Sequence, residues 1–132
     1  MSVQVMLSRQ WLFSTYELLR MAKGTPTGQA STDLRALYED FRLVRVPMAK
    51  LEIAEDHRLK DIDLELVKIG DESDVIVYSR KNKVPYRPQI IFNPGNGSIG
   101  WKAIDLRHGI AEREVLRRDL SDRMLAILES IE

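Results

Sequence analysis

Apolar residues recur at helical spacing from the start of the chain. Leu12, Tyr16 and Leu19 fall on one face of a helix, with Trp11 and Leu18 beside them. Ser8 is a suitable N-cap, because its hydroxyl can accept a bond from a free N–H of the first turn. The pattern therefore predicts a first helix from residue 8 to about residue 22.

A second stripe follows a loop expected over residues 23–30, which contain two glycines and a proline. Ser31 or Thr32 is the expected cap, and the stripe consists of Leu34, Leu37, Tyr38, Phe41 and Val44. We expect this helix to stop at Pro47, because proline has no N–H and its ring clashes with the preceding turn. Residues 48–57 then form a short helix or, alternatively, a strand.

From residue 61 the pattern alternates between apolar and polar. Ile62, Leu64 and Leu66 alternate with acidic residues, which is typical of a half-buried strand. Residues 75–80, 89–92 and 99–104 predict three more strands. The glycine- and asparagine-rich segment 93–98 predicts a hairpin turn, because these residues accept positive φ at little cost. Short connections make the expected sheet a four-stranded antiparallel meander over about 61–104.

The last apolar stripe predicts a long helix over about 110–131. Four of its residues, separated by steps of four, three and four, could form a short coiled-coil seam for oligomerisation: Leu120, Met124, Ile127 and Ile131. Alternatively, the whole stripe covers the chain's own sheet. The pattern thus predicts one α+β domain over 1–132. N-terminal helices (about 8–57) pack on the four-stranded meander, and a long C-terminal helix closes the domain.

Composition narrows the class of protein. In 132 residues, 44% are hydrophobic and 30% charged, as expected of a folded domain, and the absence of cysteine excludes disulfides and thiolate chemistry. The net charge of zero disfavours a general polyanion binder but allows a local basic face. No apolar run approaches the roughly 20 residues of a membrane span, and no signal peptide is evident, so we expect a cytoplasmic protein. The abundance of Glu, Lys and Arg is compatible with a thermophile.

Basic and aromatic residues accumulate along the last three predicted strands. Cations can follow a phosphate backbone, and each ring can stack an unpaired base for roughly 1–3 kcal/mol. The candidate nucleic-acid-binding residues are Tyr78, Arg80, Lys81, Lys83, Tyr86, Arg87, Phe92, Trp101 and Lys102. Neighbours on a strand point to opposite faces, so Trp101 and Lys102 share a face only at a bulge or strand end. Alternatively, Tyr78, Phe92 and Trp101 belong to the core.

Acidic residues suggest a weaker alternative. Asp61, Asp63 and Glu65 alternate along the first predicted strand, and Asp71, Glu72 and Asp74 occupy the following turn. Converging carboxylates could hold Mg²⁺ for nuclease chemistry. However, Glu65 is followed by Leu-Val-Lys rather than by the E-x-K spacing of restriction-like nucleases, and charges on an edge strand also prevent unwanted pairing. The two histidines, His57 and His108, match no catalytic or metal-ligand spacing. We therefore predict no enzyme activity, no catalytic residue, no metal and no cofactor.

The expected order of elements resembles the ThermoDBP-type single-stranded DNA-binding proteins of thermophilic archaea. The likeness rests on the basic and aromatic residues 78–87, Phe92 and Trp101, and on the seam of the last helix. It implies a helix-supported, four-stranded sheet that binds single strands and a C-terminal segment that dimerises. Whirly and PUR domains also follow four strands with a helix.

Three hypotheses follow. The first is a sequence-tolerant binder of single-stranded nucleic acid, DNA rather than RNA, that forms a homodimer. The second is a non-enzymatic interaction or assembly subunit, cellular or viral, that oligomerises through the C-terminal helix. The third is a metal-dependent nuclease that uses Asp61, Asp63 and Asp74.

Overall fold

Helices and antiparallel strands alternate in blocks along the chain. In the computed structural model of the protein, residues 2–68, 71–95 and 97–131 are described, the backbone alone for 67, 68, 71–74 and 131. The elements are α1 (Val3–Lys23), α2 (Pro26–Ala30), α3 (Thr32–Lys50), a 3₁₀ turn (Asp56–Leu59), β1 (Leu64–Lys68), β2 (Asp71–Tyr78), β3 (Gln89–Phe92), β4 (Ile99–Asp105), β5 (Ala111–Leu116) and α4 (Arg117–Ile131). The predicted α+β class is confirmed.

The predicted four-stranded meander is wrong. β1 and β2 form a separate two-stranded hairpin, whereas β3, β4 and β5 form a three-stranded sheet, and all neighbours are antiparallel. Between β2 and β3 the connection is tied to the segment after α3, where the Tyr86 N–H donates to Leu51 O at 2.9 Å. The Tyr86 hydroxyl then accepts from the backbone N–H of Ile104 at 2.9 Å, just beyond the last β3–β4 pair. A side chain thus satisfies a β4 backbone donor just beyond the end of β3.

The fifth strand arises from residues expected to be helical. After the turn at Gly109, whose φ is 107°, Ala111–Leu116 runs back along β4, and Val115 pairs with Trp101. The predicted helix over 110–131 therefore begins only at Arg117. Val115 does not distinguish the two structures, since an apolar residue at this position fits both the helical stripe and the alternating pattern of a strand.

The N-terminal helices are longer than their patterns predict. α1 begins at Val3, where the Ser2 hydroxyl accepts from Val5 N, so Ser8 is a buried helical residue rather than a cap. The expected loop 23–30 contains the short helix α2, which has a proline in its first turn. α3 continues through the buried Pro47 and ends at Leu51, which has a φ of 58°. The short helix or strand expected over 48–57 is therefore also wrong, since 51–60 is irregular apart from the 3₁₀ turn.

The β3–β4 connection is a tight hairpin turn, as predicted. Asn93 N–H donates to Ser98 O at 2.8 Å, and Gly97 N–H donates to Asn93 O at 2.8 Å. Gly97 has a φ of 68°, a conformation that costs glycine little. The Asn93 side chain also accepts from Gly95 N–H at 2.8 Å, so the turn is held by side chain and backbone together.

Two hydrophobic cores lie on opposite faces of β4. Trp101 and Ala103 face the helices and pack in the larger core, whose other buried members include Leu12, Leu37, Phe41 and Leu120. Ile104 points the other way, since strand residues alternate. It packs in a smaller core with Ile53, Leu59, Tyr78 and Leu106, which the β1–β2 hairpin covers.

Buried ion pairs join the helices to the sheet. Asp40 of α3 contacts Arg107 at 3.0 Å and Arg123 of α4 at 2.6 Å. Arg107 also contacts Asp105 of β4 at 2.8 Å. Asp40 and Asp105 are both buried. Buried carboxylates are costly unless paired, so this cluster fixes how α3, α4 and β4 lie against each other.

Candidate interaction site

Tyr78 is part of the smaller core and is not available for stacking. Its ring is 0% exposed. Its hydroxyl accepts from Ile53 N–H at 3.1 Å and donates to Asp56 Oδ2 at 2.8 Å. Burial is the main reason why the pKa of Tyr78 is raised above its ordinary value, and the Asp56 carboxylate raises it further. The ring therefore serves the fold.

Two of the predicted phosphate-binding lysines are already paired. Lys83 Nζ lies 2.9 Å from Asp56 Oδ2 and 3.5 Å from Glu52 Oε2. Burial alone would raise the pKa of Asp56, but the hydrogen bonds from Lys83 and Tyr78 outweigh it and lower the pKa. Lys102 Nζ lies 3.2 Å from Glu112 Oε2. A phosphate would have to displace a carboxylate from each of these lysines.

The remaining rings do not lie on one open surface. Trp101 is 1% exposed and faces the helices, whereas Lys102 points to the opposite face. Phe92 is on the Trp101 side of the sheet, since it pairs with Ile99, and there it is 57% exposed at the edge. The ring of Tyr86 is partly buried against the smaller core. Phe92 is thus the most exposed of the four predicted stacking rings.

Some of the predicted cations meet at a groove between the β1–β2 hairpin and the three-stranded sheet. The groove has a volume of about 500 Å³, and Tyr86, Arg87 and Lys102 all line it. Its walls also include apolar Leu66 and Ile110 and acidic Glu112. Arg80 and Lys81 are exposed outside this groove, on the loop after β2. The groove is mixed in charge, and Phe92 is on the other face of the sheet.

The seam predicted on the last helix is used within the chain. Leu120 is fully buried, and Met124 and Ile127 pack against the larger core. The side chain of Ile131 lies outside the described residues. These three contacts agree with the alternative that the stripe covers the chain's own sheet and helices.

A different apolar surface is open on α1. Five of its side chains are 53–71% exposed: Val3, Met6, Leu7, Leu18 and Met21. They lie on the side of α1 away from its buried residues Leu12, Tyr16 and Leu19. The helical spacing placed Leu18 beside Leu12, Tyr16 and Leu19, which is wrong, since Leu18 is 61% exposed on the other side of α1. The available signal was the four-three spacing of Leu7, Trp11, Ser14, Leu18 and Met21.

The outer stripe of α1 is nearly the same in both directions, apart from Met6. Val3 and Met21 each lie nine residues from Leu12, whereas Leu7 lies five and Leu18 six residues from it. The exposed polar residues Gln10 and Ser14 flank Leu12 in the sequence. Glu17 is the one charged residue within the stripe, and Arg20 at its flank neutralises it at 3.0 Å. A second copy of this helix in antiparallel orientation would therefore place apolar side chains against apolar ones and polar side chains against polar ones.

Metal and membrane sites lack support in the parts of the chain that the structure describes. There, no group of three or more acidic or histidine side chains is arranged to hold a metal ion. Within the same residues, no helix has the length and apolarity needed to span a bilayer. Glu65 is in β1 and exposed, Asp61 and Asp63 precede the strand, and the side chains of Asp71, Glu72 and Asp74 lie outside the description. His57 and His108 are exposed.

No protein-family model, curated protein or solved structure matches this chain. The resemblance to ThermoDBP-type proteins stays a prediction. The four-stranded sheet that it implies is replaced here by sheets of two and three strands.

Proposed function

We propose that this protein is a non-enzymatic assembly module that pairs with a second copy of itself through the outer stripe of α1. The observation that carries the proposal is the run of exposed apolar side chains from Val3 to Met21 along one side of a 21-residue helix. Water contact with so many apolar groups is unfavourable, and pairing two such stripes removes it. An assembly subunit needs a surface of this kind.

The size of the stripe suits a small dimer. Five side chains that each expose on the order of 100 Å² form a patch of roughly 500 Å², which is near the upper end for monomeric surfaces. Two copies would bury roughly 1,000 Å² in total, close to the lower bound for a specific interface. We therefore expect a dimer that dissociates on dilution.

The order of the stripe favours a two-fold antiparallel pair. In that orientation Val3 of one copy meets Met21 of the other, and Leu7 meets Leu18. Gln10 and Ser14 meet across the axis and can bond to each other, so their polar groups need not be left unpaired. A self-complementary patch of this kind is the usual basis of a two-fold dimer.

Single-stranded nucleic-acid binding through the sheet has less support. Tyr78 and Trp101 are buried, and Lys83 and Lys102 are paired. Arg80, Lys81 and Arg87 keep exposed positions, but the exposed ring of Phe92 is on the helix-facing side of the sheet. Such binding would therefore rest on charge without a stacking platform.

Light scattering coupled to gel filtration tests the proposal. We expect the mass to rise with concentration from 15.2 kDa towards twice that value, about 30 kDa. A mass that stays at one chain across the whole accessible concentration range would contradict the proposal. A single chain that shifts to a larger mass only with an oligothymidylate at low salt would favour the nucleic-acid hypothesis instead.

A further inference from the structure

Three cationic side chains surround a pocket at the end of α1. The pocket has a volume of about 330 Å³ and is lined by Arg20, Lys23, Gly24, Gln29, Arg35 and Tyr38. It forms because α2 folds back onto α1. Gly28 lies so close to the backbone carbonyl of Ala22 that a side chain there would overlap it. No carboxylate of the described residues lines the pocket, in a chain whose acidic and basic residues are equal in number.

Two of these cations are available to a ligand. Arg35 is exposed, and within the described residues its guanidinium has no ion-pair or hydrogen-bond partner. The only contact of the Lys23 ammonium with a charged or aromatic group there is with the Tyr38 ring, 4.2 Å from its centroid. Arg20 is paired with the exposed Glu17 at 3.0 Å, a surface pair that contributes little and is easily exchanged.

The positive charge continues behind the pocket wall. The Tyr38 ring stacks on the Tyr16 ring at 5.2 Å, and their hydroxyls are hydrogen-bonded at 3.0 Å. Arg45 lies over the Tyr16 ring, 4.8 Å from its centroid, and its Nε is buried without a hydrogen-bond partner among the described residues. Each ring of the pair is therefore in contact with one cation, Tyr38 with Lys23 and Tyr16 with Arg45. A fourth cation adds to the positive potential at this end of the molecule.

From this arrangement we infer a binding site for a phosphate group. Convergent guanidinium and ammonium groups supply the charge-assisted donors that phosphate oxygens accept, and arginine can bind two oxygens at once. A pocket of about 330 Å³ has room for a phosphorylated small molecule as well as for the end of a nucleic-acid strand. The site does not depend on the proposed dimer, since Lys23 lies on the buried side of α1, against Tyr38 of α3.

Titration calorimetry with inorganic pyrophosphate at low salt tests the site. Arg35→Gln is the key variant, because the Arg35 guanidinium is exposed and has no partner in the described part of the chain, so we expect the variant to fold. Lys81→Gln is the matched control, since Lys81 is also exposed but lies on the loop after β2. We expect Arg35→Gln to weaken pyrophosphate binding by about tenfold or more, and Lys81→Gln by less than about twofold. Circular dichroism verifies that both variants are folded.

Two results would overturn the inference. One is the absence of any heat of binding for pyrophosphate. The other is an equal loss of pyrophosphate affinity in both variants, which would mean that binding is general charge attraction. Competition then identifies the source of the phosphate. If an oligothymidylate displaces pyrophosphate and Arg35→Gln weakens both, the ligand is a nucleic-acid strand. If pyrophosphate binds and the oligothymidylate does not compete, the ligand is a small phosphorylated molecule.

Discussion

The hydroxyl of Tyr78 donates a 2.8 Å hydrogen bond to Asp56 from a ring that has no exposed surface. The same oxygen accepts from the backbone N–H of Ile53 at 3.1 Å. One hydroxyl thus links β2 to the irregular segment after α3 and satisfies a buried backbone donor. This link explains why a tyrosine, and not a phenylalanine, occupies the position.

We expect Tyr78→Phe to lower the free energy of unfolding by about 1–3 kcal/mol, because it leaves the Ile53 N–H buried without an acceptor. Urea denaturation measures the loss. Tyr16→Phe is a suitable comparison, since it removes one neutral hydroxyl–hydroxyl bond and no backbone acceptor, and its effect should be smaller. An equal or larger loss in Tyr16→Phe would contradict the role given to the Tyr78 hydroxyl.

The buried carboxylate of Asp105 should make stability depend on pH. Its hydrogen bonds with Arg107 lower the pKa of Asp105, although burial acts in the opposite direction. In the unfolded chain an aspartate titrates near ~3.9. The folded state therefore binds fewer protons, and the stabilisation is complete above about pH 4 and is lost as the pH falls through the lowered folded-state pKa.

Urea unfolding at a series of pH values from neutral to strongly acidic tests this dependence. We expect Asp105→Asn to be less stable than the native chain at neutral pH and to lose less stability on acidification. Asp122→Asn is the control, because Asp122 is exposed and no ion pair involves it within the described residues. If Asp105→Asn lost as much stability on acidification as the native chain, the Asp105 carboxylate would not be the source of the pH dependence.

The orientation of the proposed dimer can be read from disulfides, because the chain contains no cysteine. Val3 and Met21 are separated by about 27 Å along α1 at roughly 1.5 Å per residue. In an antiparallel pair, a mixture of Val3→Cys and Met21→Cys proteins should form the mixed disulfide on mild oxidation, and neither protein alone should dimerise covalently. Efficient self-linking of Val3→Cys would indicate a parallel pair.

Patterns of local spacing predicted the helical half of the core well. Leu12, Tyr16 and Leu19 are buried on α1, and Leu34 and Phe41 on α3, as their spacing indicates. The β3–β4 hairpin is formed because its turn residues make hydrogen bonds with residues close to them in the sequence. Each of these elements depends on residues close together in the sequence.

What sequence did not reveal depends on distant contacts. Tyr78 is buried because Ile53 and Leu59, some 20 residues earlier, pack around it. The β3–β4 ladder ends at Gln89, and beyond it a hydroxyl from residue 86 binds the N–H of residue 104. The open stripe of α1 shares its helix with a buried stripe, and spacing alone did not show which of the two would be covered. These outcomes follow from tertiary packing rather than from local preference.

The proposed dimer depends on the outer stripe of α1, and one pair of variants tests this dependence directly. Sedimentation velocity at matched concentrations compares Leu18→Glu, which in the proposed dimer faces Leu7 of the second copy, with Leu128→Glu on α4. Leu128 is 54% exposed and Leu18 61%, so both changes place a charge where the native leucine already meets water. We expect Leu18→Glu to sediment as a single chain where the native protein and Leu128→Glu sediment as dimers. A Leu18→Glu protein that dimerises as the native chain does would contradict the account.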